Sequence, residues 1–290
     1  MTNYQLLIGD PSYSSWSLRG WLAFKAFNIP VSVETTRFYQ DGFAQDLKAY
    51  APAKTVPVVK ASDGSIWSDS LTIIEELASR HPEAGLLPQE PVARASARSL
   101  IAEMHASFSA LRSLCPMNTR IAYAKTPITD ELKADLERLS VLWSITKDTD
   151  SPWLFSDYSA ADAFYAPVAA RIACYNLPVN EQMMTYVKAH LNHLPFRQFR
   201  AIGLTYAPQD FYKRDYPIAD WPAPAPLPAK AIEATAEQSL NKQCPYSGED
   251  VHYFLEIEGQ IIGFCNERCR DKTVNDPEAW PDFMALLSAS

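Results

Sequence analysis

Tyr13-Ser14-Ser15-Trp16-Ser17-Leu18-Arg19 is the stretch on which the fold of this chain turns. Ahead of it, Tyr4 to Ile8 is a compact apolar run closed by Gly9, Asp10 and Pro11, the pattern of a buried strand followed by a turn. Behind it, Leu18, Trp21, Leu22, Lys25, Ala26 and Ile29 keep helical spacing, so the serines fall at a strand-to-helix junction. The first turn of a helix presents unpaired N–H groups and the positive end of a dipole, a setting that favours an anion beside a hydroxyl donor. Capping the helix is the plainer use of serine at such a place. The stretch alone leaves both readings open.

The residues from Val31 to Leu77 narrow the choice. Val31 to Val33 with Thr35 and Thr36 reads as a second strand, parallel to the first across the helix, which makes a βαβ unit. Gly42 to Tyr50 is a short helix or an irregular connection. Lys54-Thr55-Val56-Pro57-Val58-Val59-Lys60, the turn Asp63-Gly64 and then Ile66-Trp67 form a hairpin signal. Pro57 is either an edge-strand proline or a cis-proline that turns the preceding backbone groups outward. Ser68-Asp69-Ser70 opens an amphipathic helix through Leu71, Ile73, Ile74 and Leu77. Its N–H groups suit a carboxylate and Asp69 suits an amine, the two ends of an amino acid.

This order resembles the thioredoxin-like N-terminal domain of glutathione transferases. Ser14-Ser15-Trp16-Ser17-Leu18-Arg19 has the serine and arginine spacing of the zeta-class motif, and Pro52 through Val56-Pro57 to Ser70 resembles that class too. The resemblance implies that Ser14 stabilises a glutathione thiolate, with Ser15 close enough to substitute. It implies that Lys54 and Val56 contact the peptide, Val56 through its backbone at the cysteinyl part, and that Pro57 is the cis-proline. Asp69 and Ser70 would hold the γ-glutamyl end, where zeta enzymes more often carry Gln-Ser. No cysteine precedes Cys115, which disfavours a transferase working through a mixed disulfide.

The middle of the chain reads as helical. From Val92 to about Leu114 one helix is expected, with Met104, Phe108 and Leu111 on its core face and His105 and Arg112 as substrate-side candidates, or merely solvated polar residues. Asp130 to Ile145 is a second helix. Ser159 and Asp162 form a capping pair that resembles the start of the buried core helix of the transferases' all-α domain. Cys115 and Cys174 read as buried, inert thiols. The resemblance covers roughly residues 4 to 205.

Beyond it, prolines cluster from Pro208 to Lys230 as a linker or strap, and Ala229 to Leu240 is expected to be a short helix. Cys244, a hairpin through Gly259, and then Cys265-Asn266-Glu267-Arg268-Cys269 resemble treble-clef modules of the YHS and TRASH kind, which bind or sense metals such as zinc or copper. The spacing places the sulfurs of Cys265 and Cys269 on one face of a helix's first turn. Three sulfurs leave tetrahedral zinc one ligand short, with His252, Asp250 or water to complete it and Ser247 where a second knuckle cysteine would be expected. A degenerate clef carrying free thiols is the alternative.

The expected fold class is therefore an α/β thioredoxin-like domain (1–82), an all-α domain (90–207), a proline-rich linker (208–230) and a small treble-clef-like extension (231–290). The expected function is serine-assisted conjugation of glutathione to a small electrophile. The alternatives are a glutathione-dependent maleyl-compound isomerase, or a non-enzymatic module whose tail senses metal or docks a partner. A homodimer is implied by the resemblance. A net charge of −8 excludes the basic face that nucleic acid or anionic membrane would need. Five cysteines without framework spacing, and an opening Met1-Thr2-Asn3-Tyr4 without a leader pattern, predict a cytoplasmic protein.

Overall fold

Residues 3–40, 42–145, 151–210 and 212–289 are described by a computed structural model. The chain divides into two compact units, one of residues 1–196 and 210–222, the other of residues 197–209 and 223–290. Among the described residues no helix is long and apolar enough to cross a membrane.

The first unit opens with β1 (Tyr4–Ile8), α1 (Ser15–Lys25) and β2 (Ser32–Thr35), then α2 (Gly42–Lys48), β3 (Val58–Ala61), β4 (Ile66–Ser68) and α3 (Ser70–Arg80). The sheet order is β2-β1-β3-β4; β2 runs parallel to β1, and β3 and β4 are antiparallel additions. This is the thioredoxin-like arrangement. Leu6, Val59, Leu18, Leu22, Ile73 and Leu77 are essentially fully buried in its core. Leu7, Leu47, Tyr50, Val56 and Val58 form a further buried cluster, backed by Phe38 and Phe43. Pro57 follows a cis peptide bond, as does Pro52. Gly20 of α1 meets that loop so closely that a Cβ there would lie 2.7 Å from Cβ of Pro57.

The helical part of this unit holds α4 (Pro91–Ala106), α5 (Ser109–Leu114), the short β5 (Ala122–Tyr123), α6 (Asp130–Ser144), α7 (Ala160–Cys174), α8 (Glu181–Asn192) and the start of α9 (Leu194–Leu204). Helix α7 is buried along its whole length and packs on α1, α4 and α8. The capping box is present: Asp162 accepts from the Ser159 N–H and hydroxyl, both at 2.8 Å. The single helix expected over 92–114 is instead two. Ser107 ends α4, and the buried Phe108 takes a left-handed conformation, φ 64°. Arg112 offsets the break by donating to the freed carbonyls of Met104, His105 and Ser107. Strand β6 (Ile218–Ala219) pairs with β5.

The second unit is built on the antiparallel sheet β7 (Ala229–Ile232), β8 (Tyr253–Ile257) and β9 (Gln260–Phe264), followed by α10 (Glu267–Asn275) and α11 (Pro281–Ser288). The expected hairpin is there, turning at Glu258 and Gly259, both at positive φ. The helix expected over 229–240 is not: its first residues form β7, paired with β8, because the open N–H and C=O groups along that strand's edge pair with those of Ala229 to Ile232. Phe254, Leu255, Ile262, Phe264 and Phe283 make the core. Residues of α9 from Arg197 belong to this unit, where Arg197 pairs bidentately with Asp276 at 2.6 and 2.9 Å.

Candidate active site

The turn after β1 is fixed from within. Ser14 and Tyr13 both donate their N–H to the Asp10 carbonyl, and the Asp10 carboxylate, itself buried, pairs with Arg37 at 2.6 Å. Ser14 is the N-cap of α1: its Oγ accepts the Ser17 N–H at 3.1 Å and lies 2.8 Å from Ser17 Oγ. Ser17 Oγ also accepts the Gly9 N–H at 2.8 Å, which ties the helix start to the end of the strand.

Ser14 opens onto a cavity of about 380 Å³ that it shares with Trp16, Lys54, Val56, Pro57, Asp69 and Ser70. Phe38 and Phe43 supply apolar wall that the sequence pattern does not assign. Asp69 is held at φ 83°, ψ 139°, a region that costs a non-glycine residue roughly 1–3 kcal/mol. Its Oδ1 caps α3 by accepting the Leu71 N–H at 2.8 Å. Ser70 begins α3, and its buried hydroxyl has no hydrogen-bond partner. The strand ladder starts only at Val58, so Val56 precedes it.

Ser15 turns the other way. Its Oγ accepts from Arg171 of α7 at 3.4 Å in a buried contact, and Ser15 is not among the residues that line the cavity. Arg171 also donates to the Cys115 and Pro167 carbonyls, and burial, with the Arg112 charge, pushes it down to about 10. His105 and Arg112 reach the margin of the cavity through Trp16. His105 Nδ1 is 3.7 Å from Asp69 Oδ1 and its ring meets Trp16 edge-on at 5.1 Å, while the Arg112 guanidinium stands 5.1 Å from the Trp16 ring centre. Arg19 is on the same indole, fully buried between Trp16 and Phe164.

In the second unit the sulfurs of Cys244, Cys265 and Cys269 all lie within 4.8 Å of one another. Asp250 and His252 lie outside this cluster. Asn266 caps α10 by accepting the Cys269 N–H, so Cys265 precedes the helix instead of standing in its first turn; the Asn side chain takes the cap and ends the helix there. Burial raises the Cys244 thiol, but backbone N–H groups of Cys265, Tyr246 and Ser247 outweigh it and hold the thiol below its ordinary range. Burial, with Cys244 and Cys265 beside it, pushes Cys269 up to about 12 despite Lys272.

A βαβ start, a hydroxyl-capped helix facing a cis-proline loop, and an all-helical partner built on a capped, buried helix together define a thioredoxin-like domain followed by an all-α region. Residues 13–80 match the family Glutathione S-transferase, N-terminal domain. The chain is 37% identical over 89 residues, 31% of this chain and 40% of the relative, to a probable maleylacetoacetate isomerase of Caenorhabditis elegans. It is 29% identical over 168 residues, 55% of this chain and 73% of the relative, to the maleylacetoacetate isomerase of Rattus norvegicus. The matches to the first three such relatives span 37–47% of those proteins. In fold it is similar to a glutathione transferase homolog from Burkholderia gl BGR1 with bound glutathione, at TM-score 0.54 and 18% identity over 71% of this chain and 100% of that one. Glutathione transferase Omega 3C of Trametes versicolor gives TM-score 0.54 and 17% identity over 73% of this chain and 93% of that one.

Proposed function

We propose that the chain is a glutathione transferase in which Ser14 donates a hydrogen bond to the glutathione thiolate. The observation that carries this is the shared cavity: Ser14 at the start of α1 faces Val56, Pro57, Asp69 and Ser70 across it. In this reading the Val56 backbone pairs with the cysteinyl residue, Asp69 takes the amine, and the Ser70 hydroxyl with the α3 N-terminus takes the γ-glutamyl carboxylate. Lys54 supports the glycyl carboxylate. A free thiol loses its proton near pH 9; a hydroxyl donor and a helix dipole in a sheltered site bring that toward neutrality. The sulfur then attacks an electrophilic carbon, a leaving group departs with the bonding pair, and the thiol proton has already gone to solvent. Turnover of an activated aryl halide with glutathione by the purified protein tests this; no turnover and no glutathione binding would overturn it.

Isomerisation of a maleyl compound is the second reading, favoured by the names of the relatives. The sulfur adds to the double bond, the single bond rotates, and elimination returns the thiolate. A homodimer in a reducing, cytoplasmic setting belongs to the same proposal; all five cysteines are free thiols. For the tail we propose one zinc-like ion on Cys244, Cys265 and Cys269. Their mutual approach fits the ligand spacing of such an ion, and segment 231–290, with eleven acidic against four basic residues, favours a cation.

A further inference from the structure

Ser17 is wholly buried, and its hydroxyl has two neighbours, the Gly9 N–H and Ser14 Oγ, each at 2.8 Å. A hydroxyl carries one hydrogen and accepts two. Gly9 can only donate, so it fills one acceptor position on Ser17 Oγ. Ser14 Oγ likewise has one acceptor position filled, by the Ser17 N–H. The remaining contact between the two oxygens runs in one of two directions. If Ser14 donates to Ser17, the Ser17 hydrogen is buried with no acceptor, and the Ser14 hydrogen is spent inside the turn. If Ser17 donates to Ser14, every buried group is paired, both acceptor positions of Ser14 are filled, and its hydrogen has nowhere to go but the cavity.

We infer that Ser17 is a positioning residue: by taking the Gly9 N–H it is left to donate to Ser14, and so turns the Ser14 hydrogen toward the sulfur of a bound thiol. This rests on the proposed role of Ser14. In the structure as it stands Ser14 Oγ donates to Ser17 Oγ, the first arrangement. A thiolate accepts and cannot donate, and its arrival selects the second arrangement, with no side chain moving more than the rotation of two hydroxyl hydrogens.

The test is a double-mutant cycle on the full chain, with glutathione and an activated aryl halide, reading kcat, the KM for glutathione and the pH dependence of the rate. Ser17→Ala is expected to lower kcat at neutral pH about tenfold, leave the KM for glutathione within about twofold and shift the pH profile upward by about one unit. In a Ser14→Ala background the same change is expected to do nothing further. Ser17→Cys, which keeps the side chain's shape with a weaker donor, is expected to fall between Ser17→Ala and the parent, and it carries the test if Ser17→Ala does not fold. An unshifted pH profile in both Ser17 variants, or a Ser17 effect that persists in full without Ser14, overturns the inference. An inert Ser14→Ala overturns the serine mechanism itself, and the inference with it.

Discussion

The guanidinium of Arg19 stands 4.5 Å from the ring centre of Trp16, and none of its three nitrogens has a hydrogen-bond partner. With Phe164 at 4.6 Å on another side and no exposed surface, the cation lies against two π faces, with the Asp69 charge as a favourable but smaller influence. Burial, and then the charges of Arg112 and Arg171, push its pKa well down, which marks how poorly the site solvates a charge. An apolar residue of similar length removes that penalty. Arg19→Met is expected to leave the melting temperature unchanged or raise it, and Arg19→Lys to lower it, because an ammonium needs hydrogen-bond partners that this site does not supply. A Met variant melting below the Lys variant would show that the guanidinium is net stabilising.

Ser14→Ala is expected to reduce conjugation at neutral pH by roughly 10–100-fold and to raise the pH at which bound glutathione ionises. Ser15→Ala is expected to do less, since its hydroxyl faces Arg171. Titration of the thiolate absorbance of bound glutathione checks both. A larger loss in Ser15→Ala would reverse the assignment.

Acid should weaken the fold through two histidines. His190 packs against Tyr186 at 4.5 Å and Trp153 at 5.2 Å with both ring nitrogens unpartnered, and His193 stacks on Tyr158 at 4.2 Å. Burial lowers His193 from 6.5 to about 4, and burial, with His193 beside it, holds His190 well below its ordinary range. The unfolded chain therefore binds protons that the folded one does not, so this stability is complete above pH 6.5 and is lost as pH falls from there toward 4. Urea midpoints at pH 7 and pH 5 are expected to differ, and His190→Phe with His193→Phe to flatten the difference. A midpoint independent of pH in the parent would refute it.

Asp276 accepts both arms of Arg197 and is nearly buried. Asp276→Ala is expected to cost about 2–4 kcal/mol in the second unit, because it leaves a partly buried cation with Glu278, 3.6 Å away, as its remaining ion-pair partner. Chemical denaturation followed through Trp280 measures it, and a loss under about 0.5 kcal/mol, typical of an exposed pair, would mean that the contact is idle.

For the three thiols, protein purified without chelator is expected to carry one metal per chain, and Cys269→Ser to lose it. Elemental analysis, beside the rate of thiol labelling with and without added zinc, decides the matter. Well under one metal per chain and labelling indifferent to zinc would leave a clef of free thiols.

What is legible in the sequence is local. The Asp69 cap and the Ser159–Asp162 box each lie within a few residues and rest on propensities that tertiary contacts reinforce; the βαβ order rests on the apolar spacing of residues 4–35, and the cis bond before Pro57 is what the family resemblance implies. The break at Phe108 is hidden because the apolar spacing continues through it, and only the Arg112 contacts with the freed carbonyls reveal how the chain sustains it. The strand β7 escapes a pattern reading because alanines suit a helix until an edge of β8 is there to pair with. Ser15 and Arg171 meet across 156 positions of sequence, a separation that no local motif spans.

Gly20 is not among the residues that line the cavity, yet it packs against one that is, Pro57, and so bears on how closely α1 approaches the Val56-Pro57 loop. With a Cβ the helix would have to retreat from Pro57, which it now meets at a separation that leaves no room for a methyl group. Anyone retuning this protein toward a new electrophile should therefore treat position 20 as a machined spacer and keep it fixed. Phe38 and Phe43, on the cavity wall, are the positions to randomise.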